Sequence, residues 1–133
     1  MPFLSNPAEW KDPRHREGAE GEAAARKFLE RSGWHILVDR FRMGRLEVDL
    51  VARKGRVVAF VEVKTRLTTK FGSPLEAVTW HKRREIGRVA QAWIDRHGRP
   101  GDTYRFDVIG ITRLRDGSRR IDHVADAFRL ARA

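Results

Sequence analysis

Residues 46–66, LEVDLVARKGRVVAFVEVKTR, decide how this chain is read. Apolar residues alternate over Leu46–Arg53 and again over Arg56–Arg66, and Lys54-Gly55 between them reads as a tight hairpin turn. Successive strand side chains point to opposite faces, so Val58, Phe60, Glu62 and Lys64 share one face of the second segment, and Val57, Ala59, Val61 and Val63 share the other. Apolar residues on both faces mark a central strand covered on both sides. Glu62 and Lys64 are therefore conspicuous, because an ionised group is rarely buried without a partner or a metal.

With Lys54 and Gly55 as a two-residue turn, Val51 pairs with Val58, Asp49 with Phe60 and Glu47 with Glu62. Asp49 then lies on the face of Glu62 and diagonal to it, about 7–8 Å away between backbones. Two carboxylates and an ammonium converge. Hard oxygen ligands suit Mg2+ or Mn2+, and such an ion can polarise a phosphodiester and help generate hydroxide. Lys64 would orient the attacking water or neutralise charge on the phosphate. The competing reading is an ordinary ion pair on a half-solvated sheet.

On the N-terminal side, Asp12-Pro13 reads as a helix start and Gly33 as its terminator. Ala24, Ala25, Phe28 and Leu29 form the helix's apolar stripe. Gly18 and Gly21 each cost about 1 kcal/mol relative to alanine there, so a close approach is expected. Glu22, at nearly the angular position of Leu29, is a candidate third carboxylate; Glu20, on the opposite edge, competes with it. Residues 1–11, with two prolines and no periodicity, read as a flexible arm ahead of one domain over 12–133. Trp34–Val38 suits a strand and Phe41–Arg45 a basic connection.

On the C-terminal side, Phe71-Gly72-Ser73-Pro74 reads as loop, Thr79–His97 as a helix with Ile86, Val89, Ala90, Trp93 and Ile94 inward, and Tyr104–Thr112 and Arg119–Val124 as strands. The order of helix, strand, hairpin, helix, strand, strand gives an α/β fold: a mixed sheet flanked by helices.

The chain has 133 residues, with 28 Lys and Arg against 18 Asp and Glu, a net charge of +10. That excess favours a polyanionic partner, nucleic acid above all. The absence of cysteine excludes disulfides, thiolate zinc sites and cysteine nucleophiles. No signal-like start or membrane-length apolar run is evident, so the expectation is a soluble cytoplasmic protein without membrane association. Arg66, two residues past Lys64 on the same face, is placed to contact phosphate. Lys82 and Arg83, with Arg84 and Arg88, either do the same or form a solvated helix face. The five histidines lack metal-ligand spacing, Trp34, Trp80 and Trp93 are expected in the core, and Asp107 is expected to cap or to pair with an arginine.

The runs Leu46–Val51, Phe60-Val61-Glu62-Val63-Lys64-Thr65-Arg66 and Phe71-Gly72-Ser73-Pro74 strongly resemble the YraN family of bacterial proteins. The likeness extends from Gly21-Glu22 to Arg105-Phe106-Asp107-Val108 and Ala127-Phe128. Leu46 stands where that family usually has glycine in Gly-Glu-Ile-Asp. The resemblance implies a branch of the PD-(D/E)xK superfamily near the archaeal Holliday-junction resolvases, with a restriction-endonuclease-like core. Carried over by position, it implies Asp49, Glu62 and Glu22 as metal carboxylates and Lys64 as the catalytic lysine. It also implies Mg2+ or Mn2+ as cofactor and a homodimer. The expected function is a metal-dependent endonuclease on DNA, with branched or structured DNA as one candidate substrate; the alternative is a nucleic-acid-binding or scaffolding protein that keeps the fold without catalysis.

Overall fold

A computed structural model describes residues 13–67 and 73–130, with side chains from residue 18 onward. The arm expected over residues 1–11 and the Phe71-Gly72 pair lie outside the described residues. The elements are α1 (Pro13–Arg31), β1 (His35–Met43), β2 (Leu46–Lys54), β3 (Val57–Arg66), a 3-10 turn at Pro74–Ala77, α2 (Trp80–His97), β4 (Thr103–Arg113) and β5 (Arg119–Phe128). The strands form one sheet in the order β1-β2-β3-β4-β5. Every neighbouring pair is antiparallel except β3 and β4. Parallel neighbours need a long crossover, and α2 supplies it. The fold is α/β, a mixed sheet with two flanking helices.

β3 is central and covered on both faces, because its alternating residues feed two cores. Val58 and Phe60 pack with Ile86, Val89, Ala90 and Trp93 of α2. Ala59 and Val61 pack with Ala25 and Leu29 of α1. Thr79 caps α2, its side chain accepting a hydrogen bond from the Lys82 N–H, which satisfies one of the N–H groups a helix start leaves without a partner.

Three expectations change. Phe41–Arg45 is no connection: β1 runs unbroken to Met43, and Phe41 and Met43 pair with Val48 and Leu46. The last strand continues to Phe128, where Phe106 pairs with it beyond a register shift. The hairpin turn is Gly55-Arg56 rather than Lys54-Gly55, since Lys54 pairs with Val57 and Val51 with Phe60. Gly55 has φ +62° and Arg56 is not in the left-handed region, so the glycine takes the first central position, the only one needing positive φ. A two-residue shift in pairing keeps every side chain on its face.

Candidate active site

The β2–β3 ladder runs from Lys54↔Val57 to Leu50↔Val61 and no further, while β2 stays paired with β1 down to Leu46. The two central strands therefore part immediately before Asp49 and after Val61. Val48 and Val51, three residues apart, both enter the α2-side core, so the alternation of β2 is broken at this point. Asp49 takes over from the ladder: its Oδ2 accepts the Val63 N–H at 2.7 Å, a donor that regular pairing would have matched to the main chain of β2. Continued past Leu50↔Val61, the register would set Asp49 opposite Glu62 rather than diagonal to it.

An open cavity of about 600 Å3 occupies the fork, lined by Glu22, Asp49, Glu62, Lys64, Arg66 and Lys82 among others. These six sequence candidates thus meet in one place, whereas Arg83, Arg84, Arg88 and Glu20 do not line it. Glu62 is only 3% exposed. Its Oε2 lies 3.8 Å from Lys64 Nζ and 3.6 Å from Lys82 Nζ, and its Oε1 is buried without a hydrogen-bond partner. Burial, and next the neighbouring Glu62 carboxylate, push the Asp49 carboxyl up to about 8, against the lowering effect of the Val63 N–H. A hydrogen bond between the two carboxyls adds to the rise, so the pair holds a shared proton.

Glu22 reaches the cavity because α1 lies close against β3. A Cβ on Gly21 would collide with the Thr65 hydroxyl, so only glycine permits this approach, as the helix sequence suggested. Gly18 lines the cavity but would meet nothing within 4 Å. Burial and then the Asp49 charge raise the Glu22 pKa, opposed by Arg40. The Nε and Nη2 groups of Arg40 donate to Glu22 Oε2 at 3.1 and 3.0 Å. Arg40 has φ +52°, a left-handed conformation that costs a non-glycine residue about 1–3 kcal/mol. The sequence carried no sign of this partner, because the left-handed backbone that aims its side chain leaves no pattern.

Arg66 Nε donates to Thr112 Oγ1 at 3.4 Å, and its Nη1 is buried without a partner. Arg83 lies outside the cavity: Nε donates to Val78 O at 3.1 Å and Nη2 to Leu75 O at 3.5 Å. Glu20 pairs with Arg119 at 2.6 Å, away from the carboxylates. Glu47 accepts from Arg42 at 2.7 Å. His81 is paired with Glu85 at 2.8 Å and exposed. Trp34 and Trp93 are buried, but Trp80 is 68% exposed, contrary to the core position expected for it.

Asp107, 1% exposed, anchors the sheet as expected of a pairing residue. It accepts from Arg105 and from the Asp126 N–H at 3.0 Å each, and meets His123 Nε2 at 2.7 Å. Burial works to raise its pKa, but these contacts outweigh burial and hold it below the usual carboxylate range.

A divalent cation fits the Asp49–Glu62 pair on one observation: Glu62 Oε1 is a buried carboxylate oxygen with no donor. Among the described residues no three His, Cys, Asp or Glu side chains are grouped to hold a metal ion, so Glu22 does not join Asp49 and Glu62 as the expected third ligand, and water would fill the remaining positions, which suits Mg2+.

Fold and site together define an α/β protein with a paired-carboxylate, lysine-flanked cavity where its central strands diverge. No helix among the described residues is long and apolar enough to cross a membrane. Residues 21–111 match the model of the uncharacterised protein family UPF0102, and the chain belongs to that family. A UPF0102 protein of Geobacter sulfurreducens is 46% identical over 114 residues, covering 86% of this chain and 89% of its own. One from Chlorobium chlorochromatii is 46% identical over 116 residues, covering 84% and 89%. One from Rhodococcus jostii is 42% identical over 111 residues, covering 84% and 94%.

Proposed function

We propose that this protein is a divalent-metal-dependent endonuclease that hydrolyses phosphodiester bonds in DNA, branched or otherwise structured DNA being the leading substrate. The observation that carries this reading is that half-buried Asp49 and buried Glu62 meet Lys64, Lys82 and Arg66 around one cavity, with Glu62 Oε1 lacking a hydrogen-bond partner among the described residues. The carboxylates suit a cation and the basic side chains an anion, and a metal-bound phosphate supplies both. The relation to the PD-(D/E)xK nucleases belongs to the same proposal and rests on the sequence resemblance; a fold alone does not carry activity.

Asp49 and Glu62 would hold the Mg2+ or Mn2+, with Glu22 supporting its water. When bound, the ion supplies Lewis-acid activation of the phosphate and a lowered pKa for water. The remaining work falls to the chain's own residues. Val63 N–H fixes Asp49, and Arg40 fixes Glu22. Lys64 and Lys82, bracketing the same Glu62 oxygen, stabilise charge building on the phosphate. Arg66, which lines the cavity, would turn its guanidinium toward a phosphate oxygen. The net charge of +10 attracts the polyanion from a distance. A homodimer presenting two such sites would serve cutting of two strands.

The alternative is a nucleic-acid-binding or scaffolding protein without catalysis. The two lysines near Glu62 favour it, since they provide cation charge without a metal. The test is cleavage of labelled duplex, single-stranded, flap and four-way-junction DNA with Mg2+ or Mn2+ by wild type, Asp49→Ala and Lys64→Ala. Metal-dependent cutting lost in both variants is expected. Equal binding by all three proteins with no cutting under either metal would replace the nuclease with the binding protein.

A further inference from the structure

An aromatic stack runs from the core to the surface and ends on a residue the fold does not bury. Phe60 meets Phe106 at 5.8 Å between ring centroids, and Phe106 stacks on Phe128 at 4.8 Å with 12° between the planes. The Arg83 guanidinium follows, its carbon 5.3 Å from the Phe128 centroid and 4.7 Å from that of Trp80. Arg83 is pinned by the carbonyls of Val78 and Leu75. The outermost layer, Trp80, is 68% exposed.

A tryptophan free to choose would bury its large apolar surface. Here a fixed cation holds the ring in place on the first turn of α2 while leaving most of it in water. The same turn sends Lys82 into the carboxylate cavity, 3.6 Å from Glu62. An aromatic face held rigid loses little entropy on stacking with a flat partner. The basic chain around it selects a polyanion.

We propose that Trp80 is a stacking platform for an unpaired nucleobase, so that the substrate of this protein carries a single-stranded nucleotide beside the phosphate bound in the cavity. This rests on the nuclease reading for the location of that phosphate and deepens it by naming the substrate class. A base inside an intact duplex has both faces covered and cannot reach the platform, whereas a flap or a single strand offers one. Arg83, held by the Val78 and Leu75 carbonyls, is a positioning residue for the ring.

The experiment measures binding in EDTA, where no cutting occurs, of a fluorescein-labelled single-stranded oligonucleotide, the same oligonucleotide with abasic sites, and a blunt duplex of equal length. Wild type is compared with Trp80→Ala and Trp80→Phe. Trp80→Ala is expected to bind the single strand about 5- to 150-fold more weakly, the range for losing one base–aromatic stack. Trp80→Phe should fall between, and the duplex and the abasic strand should bind wild type and Trp80→Ala alike. Equal binding of the single strand by wild type and Trp80→Ala would overturn the proposal, and so would an equal loss on strand and duplex. The two readings fail separately. Trp80-dependent strand binding with no metal-dependent cutting removes the nuclease and leaves the platform; cutting with Trp80-independent binding does the reverse.

Discussion

Replacing Asp49 with Asn should make the metal-free protein more stable, and more so as pH rises. The Asp49 carboxyl is raised from 3.8 to about 8 by burial and by Glu62. A raised folded-state value means that the group's stabilising contribution is complete below the unfolded value near 4 and is lost as pH climbs through about 8. Four units at 1.36 kcal/mol each set a ceiling of about 5 kcal/mol on that loss. Shared titration with Glu62 and water entering the open cavity reduce it, leaving an expected gain of about 2 kcal/mol for Asp49→Asn at pH 9. The amide keeps an oxygen for the Val63 N–H and turns a donor toward Glu62. Below pH 5 wild type and variant should converge.

Urea unfolding in EDTA at pH 5, 7 and 9 measures this directly, and comparing the two proteins cancels the titration of groups they share. Mg2+ or Mn2+ should then reverse the order. A ligand at a hundredfold excess over its Kd stabilises by about 2.7 kcal/mol, and wild type should receive that gain while Asp49→Asn does not. A stability difference independent of pH, together with no metal effect on wild type, would refute the claim that the fork holds a carboxylate pair suited to a cation.

Other substitutions probe the site and its supports. In the cleavage assay Lys64→Ala should lower the rate about 100-fold while leaving metal-induced stabilisation intact, and Lys82→Ala should cost less; the opposite ranking would exchange their assignments. Gly21→Ala should destabilise the protein and weaken metal binding, because the added methyl meets the Thr65 hydroxyl and displaces the helix that carries Glu22. Gly18→Ala, with open space around it, should add about 0.5–1 kcal/mol to denaturant stability. Arg53 donates to both oxygens of Asp102, at 2.7 and 2.9 Å, and this bond holds the Asp102 carboxyl well below its usual range. A lowered folded-state pKa gives stability that is present above about pH 4 and lost in stronger acid. Arg53→Met should therefore lower Tm at pH 7, with the gap closing toward pH 2.

The parts of the site visible in the sequence are those that depend on parity, and those hidden depend on where regularity stops. Placing Asp49, Glu62 and Lys64 on one face needs only the two-residue period of a strand, which survives the misplaced turn because moving Lys54-Gly55 to Gly55-Arg56 shifts pairing by an even number. Glu22 was legible for a similar reason: helical period and a glycine one residue away. What alternation could not reveal is the parting of β2 from β3 after Leu50↔Val61, since Val48-Asp49-Leu50 alternates as smoothly as any paired strand. That parting lets a side chain replace a ladder partner, opens the cavity and strands Glu62 Oε1 without a donor. Arg40 was invisible on the same ground, its aim being set by a left-handed residue inside β1. Trp80 was misread because burial is the common fate of tryptophan; only the stack through Arg83 explains a ring held in water. The features of the site that sequence periodicity missed are thus departures from regular packing: the parting of β2 from β3 at Asp49, the left-handed Arg40 and the exposed ring of Trp80.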